Sequence, residues 1–264
     1  MADVASEIDR LVLSVNEAVD NTRLFEAAGD RVVDWIVLSQ LGDFLLAGVL
    51  TQEIATARSP YRPREVVRAR IHDFLEQGLV EHRGPAFAAT DELRPLIGAL
   101  MDARADAAAR LWRGHEDDVD EASRTGQKLG ALVSDEHVVA AVDHRLPAPE
   151  DRYLRLHSHL VTLRYTRQHD HVEAWLAEGL TASEIVVMTA LWNGEDVAPG
   201  EAVAQLVARG LASDDQPTLT DAGQRMRAEI EADTNERSQV ILSALGENET
   251  AESLAVLRRL PGLS

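Results

Sequence analysis

Pro60, Pro63 and Gly78 cut residues 50–83, LTQEIATARSPYRPREVVRARIHDFLEQGLVEHR, into pieces that fit two short helices and a strand. Leu50, Ile54 and Ala57 recur at helical spacing until Ser59-Pro60 stops the run. A second apolar stripe, Val66, Val67, Ile71, Phe74 and Leu75, begins after Pro63, whose missing N–H costs nothing at a helix start. Gly78 closes that helix. Leu79–Arg83 and Ala86–Ala88 then read as two strands around Gly84-Pro85. The stretch predicts helix, turn, helix and wing, a winged helix in outline.

Charge gives this outline a chemical direction. Arg58, Arg62, Arg64, Arg68 and Arg70 are accompanied by a single acid, Glu65, before Asp73. Arg64 and Arg68 are four residues apart and share a helix face, with the apolar stripe on the other side. Such a helix can enter a major groove, where guanidinium groups bind phosphates or pair with guanine edges. Arg64 and Arg68 are therefore expected to reach base edges or phosphates of duplex DNA. Arg62 and Arg58 would hold the backbone, and His82 and Arg83 in the wing would touch the minor groove. The same arginines serve equally well as a solvated face that balances acids elsewhere. A net charge of −19 sets the whole molecule against DNA unless its cations are gathered in one place. Screening over about 8–10 Å lets a local patch act against that repulsion.

The remaining chain is helical in pattern. Residues 3–27 form one amphipathic run, and Asp30–Leu41 a second helix closed by Gly42. Thr90-Asp91 caps a helix reaching Trp112. From Arg113 to Gln127 the apolar pattern breaks and acids cluster, which predicts a connector. Asp120-Glu121 to Val142 is expected to hold one helix or two short ones before the extended Leu146–Pro149, and a long helix covers about Asp151 to Glu178. The 264 residues, 45% hydrophobic, suffice for a buried core. With no cysteine, disulfides, thiolate zinc sites and cysteine nucleophiles are excluded. The segment MADVASEIDR lacks the pattern of a leader, and no apolar run approaches the roughly 18 residues of a membrane span. A cytoplasmic protein with no membrane partner is expected.

After Gly179 the chain repeats itself. Gly78, Leu79 and Pro85 match Gly210, Leu211 and Pro217 at an offset of 132, while Trp35–Leu38 match Ile185–Met188 at an offset of 150. The difference corresponds to one helix with its turn, so the second half is expected to lack the first helix of its pair. Gly200–Arg209 then stands for the reading helix, with Glu201, Gln205 and one arginine, and Asp214-Asp215 lie in its wing.

LTASEIVVMTALW, LVARGLASDDQPTLTDAGQRMRAEIEADT and VILSALGENETAESLAVLRRL in this half resemble the MarR-like winged-helix regulators. They look most like an actinobacterial subgroup with a shortened helix-turn-helix in the C-terminal half. The likeness covers residues 150–262 well and 25–112 in layout. It implies terminal helices that interlock in a homodimer, and a small-molecule pocket between the dimerisation helices and the winged-helix lobes. The fold expected is mainly α with small β wings: two tandem winged-helix lobes joined by long helices, an internal pseudo-duplication. The lobes are 1–112 and 151–264, with 113–150 as connector. The chain would act as a monomeric pseudo-dimer or a homodimer.

His157, Tyr165 and Trp175 lie on the helix that the resemblance places beside the pocket, and are expected to contact a small aromatic effector. His157-x-His159 and His169-x-His171 invite a metal reading, but His157 and His171 are about 21 Å apart on one helix and cannot share an ion. No metal, cofactor or catalytic set is expected, since phosphate loop, nucleophile elbow and HExxH sequence are all missing. The function expected is ligand-responsive transcriptional regulation by DNA binding. The alternative is a small-molecule binding or protein-interaction module that keeps the winged-helix fold without DNA.

Overall fold

The computed structural model describes residues 4–29, 34–213 and 218–262. Its elements in chain order are α1 (Val4–Glu17), α2 (Thr22–Ala28), α3 (Trp35–Ala47), α4 (Gln52–Arg58) and α5 (Arg64–Glu76). The strands β1 (Val80–Arg83) and β2 (Ala86–Ala89) follow, then α6 (Arg94–Trp112), α7 (Glu116–Gly130) and α8 (Val138–His144). The chain ends with α9 (Arg152–Ala177), α10 (Ala182–Trp192), α11 (Glu201–Ala208), α12 (Asp221–Ser243) and α13 (Glu247–Arg259).

Most of the expected elements form, with instructive differences. The single run at 3–27 divides into α1 and α2, the second opening where Asp20 accepts from Thr22 N. Gly42 does not end α3: it sits inside the helix against the Ile97 side chain, and the chain turns instead at Gly48, φ 70°. Val32 and Val33, of the helix expected from Asp30, lie outside the described residues, as do Asp214, Asp215 and Pro217. Pro63 caps α5 rather than opening it, its carbonyl taking Val66 N and Val67 N.

The expected connector at 113–127 is helical. Glu116, Asp117 and Asp118 occupy the first turn of α7, where acids favour the positive helix end. The buried face of α7 is made of Val119, Ala122, Gly126 and Leu129, largely small residues that let it lie close on α9. A Cβ on Gly126 would come within 2.8 Å of His159 Cβ.

Helix α9 is the axis of the molecule, at about 39 Å for its 26 residues. It feeds three apolar clusters in turn. Leu156, Leu160 and Leu163 pack with α1, α6, α7 and α13. Tyr165 joins the winged-helix core with Phe44, Ile54, Ile71 and Phe74. Ala174 and Trp175 join the C-terminal core with Ile185, Met188, Leu206 and Ile230.

The wing is an antiparallel pair with Val80 opposite Ala89 and Arg83 opposite Ala86, tied to the start of α4 by Phe87 N donating to Leu50 O at 2.7 Å. The hydrogen bonds of this half recur after α9. Thr51 caps α4 through Ile54 N, and Thr181 caps α10 through Glu184 N. Leu79 N donates to Phe74 O and Leu211 N to Leu206 O. Thr90 Oγ1 donates to Gly78 O, and Thr220 Oγ1 to Gly210 O. These partners are 130 to 132 residues apart, so α10 stands where α4 stands and α11 where α5 stands. The offset of 150 is thereby replaced, and no helix is missing from the second pair. What differs is length, eight residues in α11 against 13 in α5. The second wing has one described bridge, Ala212 to Leu219.

Candidate nucleic-acid interface and adjoining cavity

Helix α5 buries Val67, Ile71 and Phe74, which turns Arg64, Arg68, Ala69 and His72 to solvent. Arg64 and Arg68 are exposed and Arg62 half-buried in the preceding turn, and among the described residues none of the three forms an ion pair. Arg70 is different, its Nε lying 3.4 Å from Asp34 Oδ2. In the wing, β2 is buried throughout while Glu81, His82 and Arg83 of β1 face out. His82 rests on Phe87, ring centroids 5.1 Å apart, and Arg83 lies across Gly48, where a Cβ would meet its Nη1 at 2.8 Å. The structure thus brings Arg62, Arg64 and Arg68 onto the helix-turn-helix, with His82 and Arg83 exposed on the wing.

Arg58 departs from that group. Its guanidinium stacks on Tyr165 at 4.4 Å from the ring centroid, and its Nη1 donates to Gln168 Oε1 at 3.3 Å. Gln168 Nε2 in turn donates to the carbonyls of Ala57 and Arg58 at the end of α4. A side chain held this way against α9 cannot at the same time reach a phosphate.

Arg58 and Tyr165 instead line a cavity of about 390 Å³ bounded by α1, α3, α4, α6, α8 and α9. Its apolar wall is Val12, Leu46, Met101, Leu146, Leu154 and Val161. Its polar lining includes Asp43, Arg104, Asp143, His157 and Arg164. Arg104 Nη2 donates to Ser39 O at 2.7 Å, and its Nη1 lies 3.8 Å from Asp43 Oδ2. Burial pushes the Asp143 carboxyl up to about 7, although Thr162 donates a hydrogen bond to it. Burial, helped by Arg104 and Arg164, pushes the His157 imidazole down to about 3, so the ring is neutral. Burial also raises the Tyr165 phenol above its ordinary value.

Of the three expected ligand contacts, His157 and Tyr165 line the cavity and Trp175 does not. Trp175 is ten residues beyond Tyr165, about 15 Å along α9, and belongs to the C-terminal core. Leu180 N donates to Trp175 O as Val49 N donates to Phe44 O, so Trp175 is the counterpart of a core phenylalanine. The charged cavity residues that the sequence pattern does not single out are Asp43, Arg104, Asp143 and Arg164. Asp143 had a signal, an acid ending the apolar run VVAAV. The other histidines of α9 have partners on neighbouring elements: His159 with Ser123, His171 with Thr234 and Glu231, and His169 against the ring of His137, centroids 4.7 Å apart.

A helix-turn-helix family model matches residues 60–261, roughly three quarters of the chain. The chain belongs to that helix-turn-helix family. The match starts in the turn between α4 and α5 and runs through the wing, α9 and the second helix pair, so membership in the helix-turn-helix family embraces both halves. No curated protein and no solved structure matches the chain.

Proposed function

We propose that this helix-turn-helix protein is a ligand-responsive transcriptional regulator whose N-terminal winged helix, residues 1–112, reads duplex DNA through α5. One observation carries the reading: Arg64 and Arg68 stand exposed, without ion-pair partners among the described residues, on the face of α5 opposite its buried stripe. Family membership supports DNA binding at the coarse level. In this reading Arg62, Arg64 and Arg68 supply the helix contacts and His82 and Arg83 the wing contacts.

Residues 151–264 are a second lobe produced by internal duplication, a reading supported by the hydrogen bonds that recur 130 to 132 residues apart. That lobe supports rather than reads. Glu201 and Gln205 are exposed on α11, and Arg209 at its end is held by the carbonyls of Glu178 and Gly179 and by Glu184. Residues 113–150 join the two lobes. The arrangement is MarR-like, and two chains forming a homodimer would present two copies of α5 to successive grooves. The cavity beside α4 is the effector site, and the protein works in the cytoplasm.

The test is binding to labelled duplex fragments, including the DNA upstream of its own coding sequence, across a salt series. Tight binding to one fragment that weakens linearly in log K against log salt supports the reading. No binding even at low salt sinks it. A second reading, a ligand-binding or interaction module without DNA, is favoured by the net charge of −19 and by the loss of Arg58 and Arg70 from the free arginine face.

A further inference from the structure

Among the described residues, the cavity holds one cation without a carboxylate partner of its own. Arg104 has Asp43 at 3.8 Å, and Arg164 Nε has Asp9 Oδ1 at 2.8 Å. Arg58 has the Tyr165 ring and a neutral glutamine, and its Nε is buried with no hydrogen-bond partner. Asp143 lies close enough to feel Arg58, yet its carboxyl holds a proton until about pH 7, so it neutralises Arg58 poorly on the acid side of neutrality. A second unmade bond lies in the same wall: His157, 4% exposed, has a buried Nε2 without a partner. Buried polar atoms of native proteins are seldom left unpaired, and those that are mark a place for a water, an ion or a ligand.

The volume, about 390 Å³, falls in the range of about 300–1,000 Å³ typical of small-molecule sites, and most of the wall is apolar. The geometry points to an amphipathic organic acid as the occupant, with its carboxylate on Arg58 and its apolar body against Leu46, Met101, Leu154 and Val161. A guanidinium binds a carboxylate by charge-assisted hydrogen bonds, and here it is already immobilised by stacking and by Gln168. The neutral His157 ring, two turns of α9 away, provides a hydrogen bond to an uncharged polar group or a water at the far end. Gln168 connects Arg58 to the last carbonyls of α4, and α4 packs on α5, so the acid sits one helix behind the proposed reading face. This deepens the effector part of the proposed function and rests on it only for that last consequence.

The experiment is calorimetric titration of the full chain, free of DNA, with octanoate, octanol and octylammonium, three probes with one apolar body and different heads. Octanoate is expected to bind one per chain, at least about ten-fold tighter than either of the others. Arg58→Gln is expected to reduce octanoate to the affinity of octanol, while Arg58→Lys, which keeps the charge, retains the preference for the acid. That contrast separates loss of the head-group contact from loss of the fold. Equal affinities for the three probes, a preference for octylammonium, no binding to the wild type, or an unchanged preference in Arg58→Gln would each overturn the assignment. Octanoate that binds as expected without altering affinity for duplex DNA supports the site and counts against ligand-responsive regulation. Failure of DNA binding alone leaves these titrations untouched.

Discussion

Asp143 and Arg68 are opposite cases of a charged residue, one buried in a cavity wall and one held out into water. The Asp143 carboxyl, ordinarily near 3.8, is raised to about 7 by burial. The folded protein therefore keeps a proton that the unfolded chain releases, and the stability this provides is complete below about pH 4 and lost as pH rises through about 7. Asp143→Asn cannot ionise, and its amide oxygen can still accept from Thr162. Its melting temperature, compared with wild type from about pH 4 to about pH 8.5, should gain on wild type up to about pH 7 and then level off. The depressed His157 acts on both proteins alike and cancels in the difference. A difference that stays constant with pH would refute the buried ionisation. The test of Arg68 is affinity. Arg68→Ala should weaken binding to the preferred duplex by about 1 to 3 kcal/mol if the guanidinium reads a base. If it meets a phosphate, the loss should instead be uniform across sequences, with the salt slope reduced by about 1. Affinity unchanged at matched salt removes Arg68 from the interface.

At the scale of elements, the contacts that matter most are those where backbone meets backbone. Gly223 in the first turn of α12 is one: a Cβ there would lie 2.1 Å from Leu211 O, the atom that accepts from Thr220 N. Gly223→Ala must push α12 off the second wing, and a loss of about 1 to 3 kcal/mol in denaturant unfolding is expected. Gly98, inside α6 with nothing within 4 Å of its missing Cβ, is the control. Gly98→Ala should stabilise by about 0.5 to 1 kcal/mol. If the two substitutions behave alike, the packing of α12 on the wing is not as described. The same contrast explains what the sequence reveals. The α4–α5–wing stretch was legible because prolines, Gly78 and the apolar stripe act locally. Helix α7 was legible only in part, as helix from about Asp120, because a face of Ala122, Ser123 and Gly126 reads as loop until α9 is known to lie against it. The second helix pair was misregistered because strings such as Trp35–Leu38 and Ile185–Met188 suit any buried helix, whereas the capping threonines Thr51 and Thr181 fix the frame. His157 and Tyr165 were found on one helix, but the cavity draws its wall from six, and no spacing in the sequence unites Asp43 with Asp143.

For the whole molecule the question is how a chain of net charge −19 could hold DNA at all. The charge is not evenly placed. Acids crowd α7, and Glu201 sits on α11, whereas Arg64 and Arg68 on the outward face of α5 and Arg62 in the turn before it have no ion pairs among the described residues. At ionic strengths where the Debye length is about 8–10 Å, the acids of distant helices are screened while a phosphate touching Arg64 is not. In the proposed reading one chain offers one reading helix, because Arg209 at the end of α11 is spent on Glu178, Gly179 and Glu184. With Arg62, Arg64, Arg68 and Arg83 each neutralising a phosphate, log K should fall against log salt with a slope of about −3 to −4 per bound chain. Two chains on a symmetric site should double that figure, and a titration of stoichiometry alongside the salt series separates the cases. A slope shallower than about −2 per chain would mean that too few arginines meet phosphate for α5 to be the reading helix. A slope well beyond about −4 per chain would mean that cations outside α5 and the wing take part, and the second lobe would have to be counted among the readers.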